Sequence, residues 1–194
     1  VTGVQTCALP ISIASHHNIC NFIHLPVQSG SDRVLELMNR TYTREHYLGL
    51  VKKIRNEIPG ATLSTDIITG FPTETEDDHK MTLDLMSEVQ YDGAFTFKYS
   101  PREHTPAFEM KDDVADEIKT NRINEIIAQQ QNISLALNRQ QVGTSLEVLV
   151  EGESKKSSEE WQGRTDGNKM VVFPKGNFKQ GDYIHVLVKR ANSE

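Results

Sequence analysis

Residues 61–78, ATLSTDIITGFPTETEDD, decide the fold because they hold a complete transition from strand to helix. The first eight are mostly apolar or β-branched, which is typical of a buried strand. Gly70–Glu74 has the composition of a loop, and the acidic residues that follow favour the start of a helix, which we predict over Glu76–Val89. Asp66 interrupts the apolar strand, where a carboxylate is costly unless it is paired or faces a site.

The same alternation extends to both sides of this stretch. Apolar runs predict strands over residues 22–27 and 93–99, and helical periodicity predicts helices over 32–39 and 43–58. Strands that alternate with helices indicate a parallel sheet with right-handed crossovers. Three strands cannot close a barrel. The predicted fold class is therefore α/β, as a piece of a larger (β/α) barrel.

The C-terminal part has a different character. A polar helix is predicted over residues 114–141, and Gly143 is its expected C-cap. Short alternating segments then follow within about fifty residues, which predicts a small antiparallel β-barrel. We therefore divide the chain into a leader of doubtful origin (1–14), a barrel part (15–143) and a β-domain (144–190).

Composition narrows the class of protein. The 194 residues are 37% hydrophobic and carry a net charge of −6, which is typical of a globular chain. Residues 144–190 hold eight Lys and Arg against seven Asp and Glu, whereas the remainder holds 13 against 20, so an RNA contact is expected in the β-domain. Neither a membrane span nor an export signal is seen, which predicts a cytoplasmic protein without a membrane partner.

Three polar loops follow the predicted parallel strands: HLPVQSGS (24–31), STDIITGFPTETEDD (64–78) and FKYSPREHTPA (97–107). The carboxyl ends of such strands converge, and ligands bind there. The alternatives are structural: Ser29 and Ser31 can simply cap a helix, and Glu74 can complement a helix dipole. The third loop can be an ordinary turn.

A fourth motif, GRTDGNKMVVF (163–173), lies in the β-domain with Lys155, Lys156 and Trp161 before it. Cations beside an aromatic ring suit RNA, because they meet phosphates and bases respectively. The alternative is a solvated loop, since Glu159 and Glu160 lie close by. The sequence shows no convincing metal-ligand cluster, and no catalytic residue is predicted.

Together the motifs resemble the radical-SAM methylthiotransferases, in particular the branch that modifies tRNA. The residues that carry the resemblance are HLPVQSGSDRVLELMNRTYTREHYLGLVKKIR (24–55), STDIITGFPTETEDD (64–78), AFTFKYSPREHTPA (94–107) and LVEGESKK…GRTDGNKMVVF (149–173). The resemblance covers roughly residues 15–189.

The resemblance implies that the chain is the C-terminal half of a partial radical-SAM (β/α) barrel, followed by a small antiparallel β-barrel, the TRAM domain, that binds RNA. It also implies S-adenosylmethionine and two 4Fe–4S clusters as cofactors, and the anticodon stem-loop of tRNA as the partner of a monomeric enzyme. The implied reaction is insertion of a methylthio group at C2 of an isopentenylated adenosine beside the anticodon. An unactivated C–H of this kind requires radical hydrogen abstraction.

Individual residues acquire expected roles from the motifs and the resemblance. The cofactor-binding residues would be Gln28, Ser29, Arg40, Asp66, Gly70 and Glu74. The third loop would add Lys98, Tyr99, Ser100 and Arg102 to a substrate pocket. In the TRAM segment, the RNA-binding residues would be Lys155, Lys156, Arg164, Asn168 and Lys169.

The sequence also departs from the family pattern. The CxxxCxxC motif of the SAM cluster is absent, and neither Cys7 nor Cys20 matches a cluster ligand. We therefore expect a truncated chain that is inactive alone. Thr73 stands where many members have Gly.

Three other readings stay open at this point. The first is a sister methylthiotransferase that acts on threonylcarbamoyladenosine or on a ribosomal protein. The second is a non-catalytic RNA-binding module, in which the barrel part serves as a scaffold. The third is a fragment of an aldolase-type barrel, which leaves the terminal β-domain unexplained.

Overall fold

The computed structural model describes residues 13–16, 18–155 and 157–193. Strands and helices alternate in the first part, and strands dominate the last. In chain order the elements are β1 (Phe22–His24), α1 (Asp32–Leu37), α2 (Arg44–Glu57), β2 (Thr62–Thr69), α3 (Glu76–Val89), β3 (Gly93–Lys98), a 3₁₀ turn (Pro106–Glu109), α4 (Asp116–Arg139), β4 (Ser145–Ser154), β5 (Ser157–Arg164), β6 (Met170–Pro174) and β7 (Tyr183–Leu187).

The first three strands form one sheet in the order β1-β2-β3. β2 pairs with β3 in parallel, with Asp66 opposite Phe95. Gln28 makes a further parallel bridge to Ile67, just beyond β1. β1 ends at His24, three residues before its predicted end, because Pro26 lacks the N–H that a continued ladder requires. Parallel pairing with helical crossovers confirms the predicted α/β class.

One carboxylate fixes the starts of two helices. Ser31 caps α1 by accepting from Val34 N, and Thr75 and Asp78 form a reciprocal capping box at the start of α3. The Asp78 carboxylate also accepts from the Ser31 hydroxyl at 2.6 Å and from the guanidinium of Arg33. The loops before α1 and α3 are therefore held to each other by strong, charge-assisted hydrogen bonds.

The remaining strands form an antiparallel sheet in the order β6-β5-β4-β7. Its core is built on Val148, Val150 and Phe173, with Trp161 packed against them. The sequence pattern does not predict β5, because SSEEWQGR is largely polar and has no apolar alternation. Pairing with β4 on one side and β6 on the other makes it a strand despite that composition.

The chain divides into two compact units. One comprises His24–Lys53 and Leu63–Ser134, and the other comprises the chain up to Ile23, Ile54–Thr62 and the chain from Leu135. Helix α4 contributes to both units, so a boundary at residue 143 stays a prediction. The predicted leader, residues 1–14, lies outside the described residues except for Ile13 and Ala14.

Of the helices that the structure describes, none has the length and apolar character needed to cross a bilayer.

Candidate functional site

The parallel sheet has one covered face and one open face. On β2 the odd-numbered residues from Leu63 to Thr69 are all buried, whereas Asp66 and Ile68 on the other face are partly exposed. On β3, Phe95 and Phe97 are 60% and 50% exposed. Side chains alternate along a strand, so these four residues share the open face.

His24 joins this face from β1, with a hydrogen-bond partner at one ring nitrogen and a carboxylate near the other. Its Nδ1 lies 2.8 Å from the Ser64 hydroxyl, and its Nε2 lies 3.4 Å from Oδ1 of Asp66. The ring of Phe95 meets the imidazole edge to face, with centroids 5.8 Å apart. These contacts define the open-face cluster: His24, Ser64, Asp66 and Phe95.

The loop after β1 places Gln28 and Ser29 beside β2. Gln28 has a φ of 70°, its N–H donates to Asp66 O, and its carbonyl accepts from Ile68 N. Ser29 is fully buried and its hydroxyl accepts from Ser31 N at 3.2 Å. The hydroxyl of Ser29 therefore shapes this loop, and a cofactor role for the two residues stays a prediction.

Glu74, in the loop after β2, makes polar contacts with that loop and with α4. Both carboxylate oxygens lie 3.1 Å from Gly70 N, and Nη1 of Arg122 lies 2.9 Å from Oε1. Gly70 has a φ of 74°, and a Cβ there would lie 2.3 Å from Cγ of Lys119. Gly70 and Glu74 thus form a closed, internally bonded turn that sets the position of the loop.

Two of the predicted substrate-pocket residues, Lys98 and Tyr99, have polar partners outside the open-face cluster. Lys98 donates to Asp116 at 2.9 Å, and this contact lowers the pKa of the Asp116 carboxyl. The Tyr99 hydroxyl donates to Ala107 O, and its ring packs edge to face on Phe71 at 4.9 Å. Burial raises the pKa of Tyr99 above its ordinary value, and the charge of Asp112 adds to this.

Three other predicted residues have exposed side chains: Arg40, Ser100 and Arg102. Of the cofactor-binding set, Asp66 is the residue whose side chain lies partly exposed in the open-face cluster. A shared pocket for all the predicted residues therefore stays a prediction.

The predicted RNA-binding residues are partly engaged with their own sheet. Arg164 lies 3.2 Å from Oε1 of Glu151 and donates to Oδ1 of Asn168 at 3.0 Å. Lys169 is half-buried and donates to Oδ1 of Asn138 at 3.0 Å. Lys155 is exposed, and Lys156 lies outside the described residues.

A further cation–aromatic pair was not predicted. Lys175 lies 5.7 Å above the centroid of the Trp161 ring and also contacts Glu153. The position of Lys175 follows from the β5–β6 pairing, which sequence alone does not give. Trp161 itself was singled out from the sequence, and Lys175 was not.

Sequence reasoning also missed His24, Ser64 and Arg122 as members of these arrangements. His24 is the first residue of the first motif, and Ser64 is the first residue of the second. Their place at the start of these motifs was the signal that could have found them. Arg122 lies on a long polar helix and gave no signal, because its contact with Glu74 spans 48 residues.

Metal ligands are not grouped in the described part of the chain. There, no three His, Cys, Asp or Glu side chains lie close enough together to hold an ion. Cys20 is largely exposed, and partial loss of water around its thiol, followed by the hydrogen bond and charge of Asp166, raises the pKa of that thiol. These residues do not fit an iron–sulfur cluster, which needs several thiolates at one point.

Comparison with known proteins supplies the family. Residues 12–86 match the model of the radical SAM superfamily, and residues 139–194 match the model of the TRAM domain. A solved structure, the radical SAM enzyme coproporphyrinogen III oxidase (HemN) from Escherichia coli, is 18% identical with a TM-score of 0.49 over 78% of this chain and 45% of that one, which is too slight to support an inference.

Curated relatives extend over nearly the whole chain. The tRNA-2-methylthio-N(6)-dimethylallyladenosine synthase of Chloroherpeton thalassium is 54% identical over 93% of this chain and 40% of the relative. The enzymes of the same name from Chlorobium chlorochromatii and Phocaeicola vulgatus are each 53% identical, over 96% and 93% of this chain and 42% and 40% of the relatives. The chain thus spans about two fifths of the length of these relatives. With a radical SAM segment and a TRAM domain in this order, the chain belongs to the radical-SAM methylthiotransferase family.

Proposed function

We propose that the protein to which this chain belongs inserts a methylthio group at C2 of N6-isopentenyladenosine, next to the anticodon of tRNA. The names of relatives that are 53–54% identical support this substrate. The structural observation that carries the proposal is Asp66, a part-exposed carboxylate inside an apolar strand, presented beside His24 on the open face. A strand-interior carboxylate of this kind is costly, and binding a polar ligand explains it.

The open face suits part of a nucleoside-bearing cofactor. Asp66 can accept hydrogen bonds from hydroxyl or amino groups, and Phe95 and Phe97 offer exposed rings. The closed turn of Gly70 and Glu74 keeps the backbone at the end of β2 in place. When bound, S-adenosylmethionine supplies radical hydrogen abstraction, the chemistry that an adenine C2–H requires. We place the two 4Fe–4S clusters on parts of the whole protein other than the described residues.

The TRAM domain is proposed to hold the anticodon stem-loop. Its contribution would come from Lys155, Lys156, Arg164, Asn168 and Lys169, which we continue to propose as RNA contacts. Arg164 lies beside Glu151, so its charge is partly neutralised before any phosphate arrives. Lys155 is exposed and is therefore the stronger candidate for a phosphate contact. We further propose that the whole protein works in the cytoplasm as a monomer.

The proposal is tested by nucleoside analysis. A bacterial strain that lacks 2-methylthio-modified tRNA would receive the gene for the whole protein, and its digested tRNA would be examined by mass spectrometry. We expect 2-methylthio-N6-isopentenyladenosine to appear. Methylthiolated threonylcarbamoyladenosine, or a modified ribosomal protein in its place, would assign the chain to the sister enzymes instead.

Filter binding tests the alternative function, in which the chain is a non-catalytic RNA-binding module. This chain alone, titrated with tRNA over a salt series, should show affinity that falls as salt rises. Affinity for tRNA without any methylthiolated product in the complemented strain would favour the non-catalytic reading.

A further inference from the structure

Two cations of the β-domain are each paired with a carboxylate on β4. Nε of Arg164 lies 3.2 Å from Oε1 of Glu151, and Nζ of Lys175 lies 2.5 Å from Oε1 of Glu153. The four side chains are between 35% and 61% exposed, so both pairs face solvent. Ion pairs as exposed as these contribute little to stability, and stability alone therefore does not account for them.

An irregularity in β4 separates the two carboxylates. The ladder to β5 shifts register between Val150 and Gly152, which leaves Glu151 as an extra residue. Gly152 has a φ of 148°, which glycine adopts more readily than other residues. The extra residue reverses the alternation of side chains beyond it, and Glu153 comes to lie opposite Trp161. A β-bulge re-aims side chains in this way, so the two carboxylates reach cations at different places on the sheet.

The two cations have surroundings that suit contacts with RNA. Arg164 also donates to Oδ1 of Asn168 at 3.0 Å, which holds its guanidinium in one orientation. Nζ of Lys175 lies 5.7 Å from the centroid of the half-buried Trp161 ring. A fixed guanidinium suits a phosphate, and a cation beside an aromatic ring suits a phosphate next to a stacked base. A phosphate that approaches either cation meets the neighbouring carboxylate as well.

A carboxylate beside a cation penalises different RNAs unequally. It repels any phosphate that approaches the cation, whatever the RNA. A carboxylate released from its cation is also an acceptor, to which a ribose 2′-hydroxyl or a base amino group can donate. An RNA that docks in one register can place such a donor there, whereas an RNA that binds in many registers cannot. The penalty is therefore offset for the first RNA and remains for the second, and this difference is specificity.

We infer that Glu151 and Glu153 are specificity-determining residues of the β-domain, which weaken the binding of RNAs other than the substrate. The inference rests on the proposed function, because it requires the β-domain to contact RNA. It adds Lys175 to the cations that contact RNA, and it gives the carboxylates of β4 the opposite effect, which is to discriminate rather than to attract.

Filter binding with the whole protein measures this discrimination. The two probes are an isopentenylated anticodon stem-loop RNA and a single-stranded RNA of mixed sequence and equal length. The variants are Glu151→Gln and Glu153→Gln. The matched control is Glu147→Gln, which removes the same charge from an exposed position on β4 opposite His185. We expect each variant to bind the mixed-sequence RNA about fivefold more tightly, and to bind the stem-loop within about twofold of the wild type. The control should change neither affinity by more than about twofold.

Double variants test whether each carboxylate acts through its own cation. In an Arg164→Gln background the carboxylate of Glu151 has no cation to neutralise, so most of the gain from Glu151→Gln should be lost. The same is expected of Glu153→Gln in a Lys175→Gln background. A gain of full size in these backgrounds would reflect overall charge and would overturn the inference.

The remaining outcomes are also decisive. All of the Gln variants should melt at the wild-type temperature, because the charges that they remove are solvent-exposed. Unchanged affinity for the mixed-sequence RNA, equal gains for both probes, or an equal gain in Glu147→Gln would each overturn the inference and leave the proposed function intact. A wild-type protein that binds neither RNA would contradict the proposed function itself.

Discussion

Arg122 on α4 donates a 2.9 Å hydrogen bond to Oε1 of Glu74, 48 residues earlier in the chain, and both side chains are more than nine-tenths buried. The same guanidinium group also donates to the carbonyl oxygen of Glu74. The Glu74 carboxylate in turn accepts from Gly70 N. The positive charge of Arg122 on α4 therefore stabilises, through Glu74, the turn at the end of β2. The pair is an internal support for the loop that we propose lies beside the cofactor.

Removing Arg122 should destabilise the chain strongly. Arg122→Met leaves the Glu74 carboxylate buried without its cation, and we expect unfolding free energy to fall by about 3 kcal/mol, as for other broken buried pairs. Urea denaturation followed by circular dichroism measures this. Glu76→Gln is the control, because Glu76 is 61% exposed and 3.6 Å from the guanidinium, so we expect a change within about 0.5 kcal/mol.

The double variant tests whether the two residues act as a pair. Arg122→Met with Glu74→Gln removes both charges, so its loss of stability should be clearly smaller than the sum of the two single losses. Additive losses would contradict a direct interaction between the two side chains.

Thr73 is a strained position that glycine should relieve. Its φ is 66°, a left-handed conformation that β-branched residues rarely adopt, and the conformation is held by Arg33, which donates to its carbonyl oxygen and to its hydroxyl. Thr73→Ala keeps the strain and loses the hydroxyl contact, whereas Thr73→Gly loses the contact and relieves the strain. We expect the Gly variant to be about 1 kcal/mol more stable than the Ala variant in urea unfolding. Equal stabilities would show that the backbone is not strained there.

Much of the fold follows from local patterns in the sequence. The sequence predicts a helix over roughly Glu76–Val89 from its amphipathic spacing, and the structure has the helix over these residues, with a capping box of Thr75 and Asp78 at its start. β5 was not predicted, because its residues become a strand only through pairing with β4 and β6. Long-range pairing of that kind leaves no periodicity in a polar segment.

The candidate site was predictable to a smaller extent. Asp66 could be singled out from the sequence because a carboxylate inside an apolar strand is energetically costly unless it is paired or faces a site. The structure places it next to His24. Lys98 pairs with Asp116 on a helix that follows it in sequence, and its place in a shared pocket stays a prediction. A side chain at the end of a strand can point to either face of the sheet. Strand register and later helices decide which face it is, and the motif at the strand end determines neither.

The carboxyl group of Asp78 should make the stability of the chain depend on pH in the acid range. Burial acts to raise its pKa, but hydrogen bonds from Arg33, Ser31 and Thr75 outweigh it and hold the pKa well below the ordinary value. A pKa lowered by folding gives stability that is complete above the unfolded value, about pH 4, and that is lost as the pH falls towards the folded pKa. We therefore expect the free energy of unfolding of the wild-type chain to decrease as the pH is lowered from about 4.

The variant Asp78→Asn isolates this contribution. It should lower stability at pH 7 by about 2 kcal/mol, since charge-assisted hydrogen bonds are weakened, and should flatten the acid limb of the curve. Asp84→Asn, at an exposed position on the same helix, is the matched control and should leave the acid limb unchanged. Urea midpoints between pH 3 and 7 provide the comparison, and an acid limb of equal slope in Asp78→Asn would contradict the role given to this carboxylate.

At Gly163 on β5 the backbone lies close against β4. A Cβ at this position would lie 2.2 Å from Leu149 O and 2.6 Å from Cγ1 of Val148, so Gly163→Ala must push the two strands apart. We expect a loss of about 2 kcal/mol, with faster amide hydrogen exchange in β4 and β5 and unchanged exchange in β2. Gly49→Ala is the control: Gly49 lies within α2 and a Cβ there meets nothing within 4 Å, so alanine should stabilise the helix by about 1 kcal/mol. If Gly163→Ala left the exchange of β4 and β5 unchanged, the close approach of the two strands would not exist in solution.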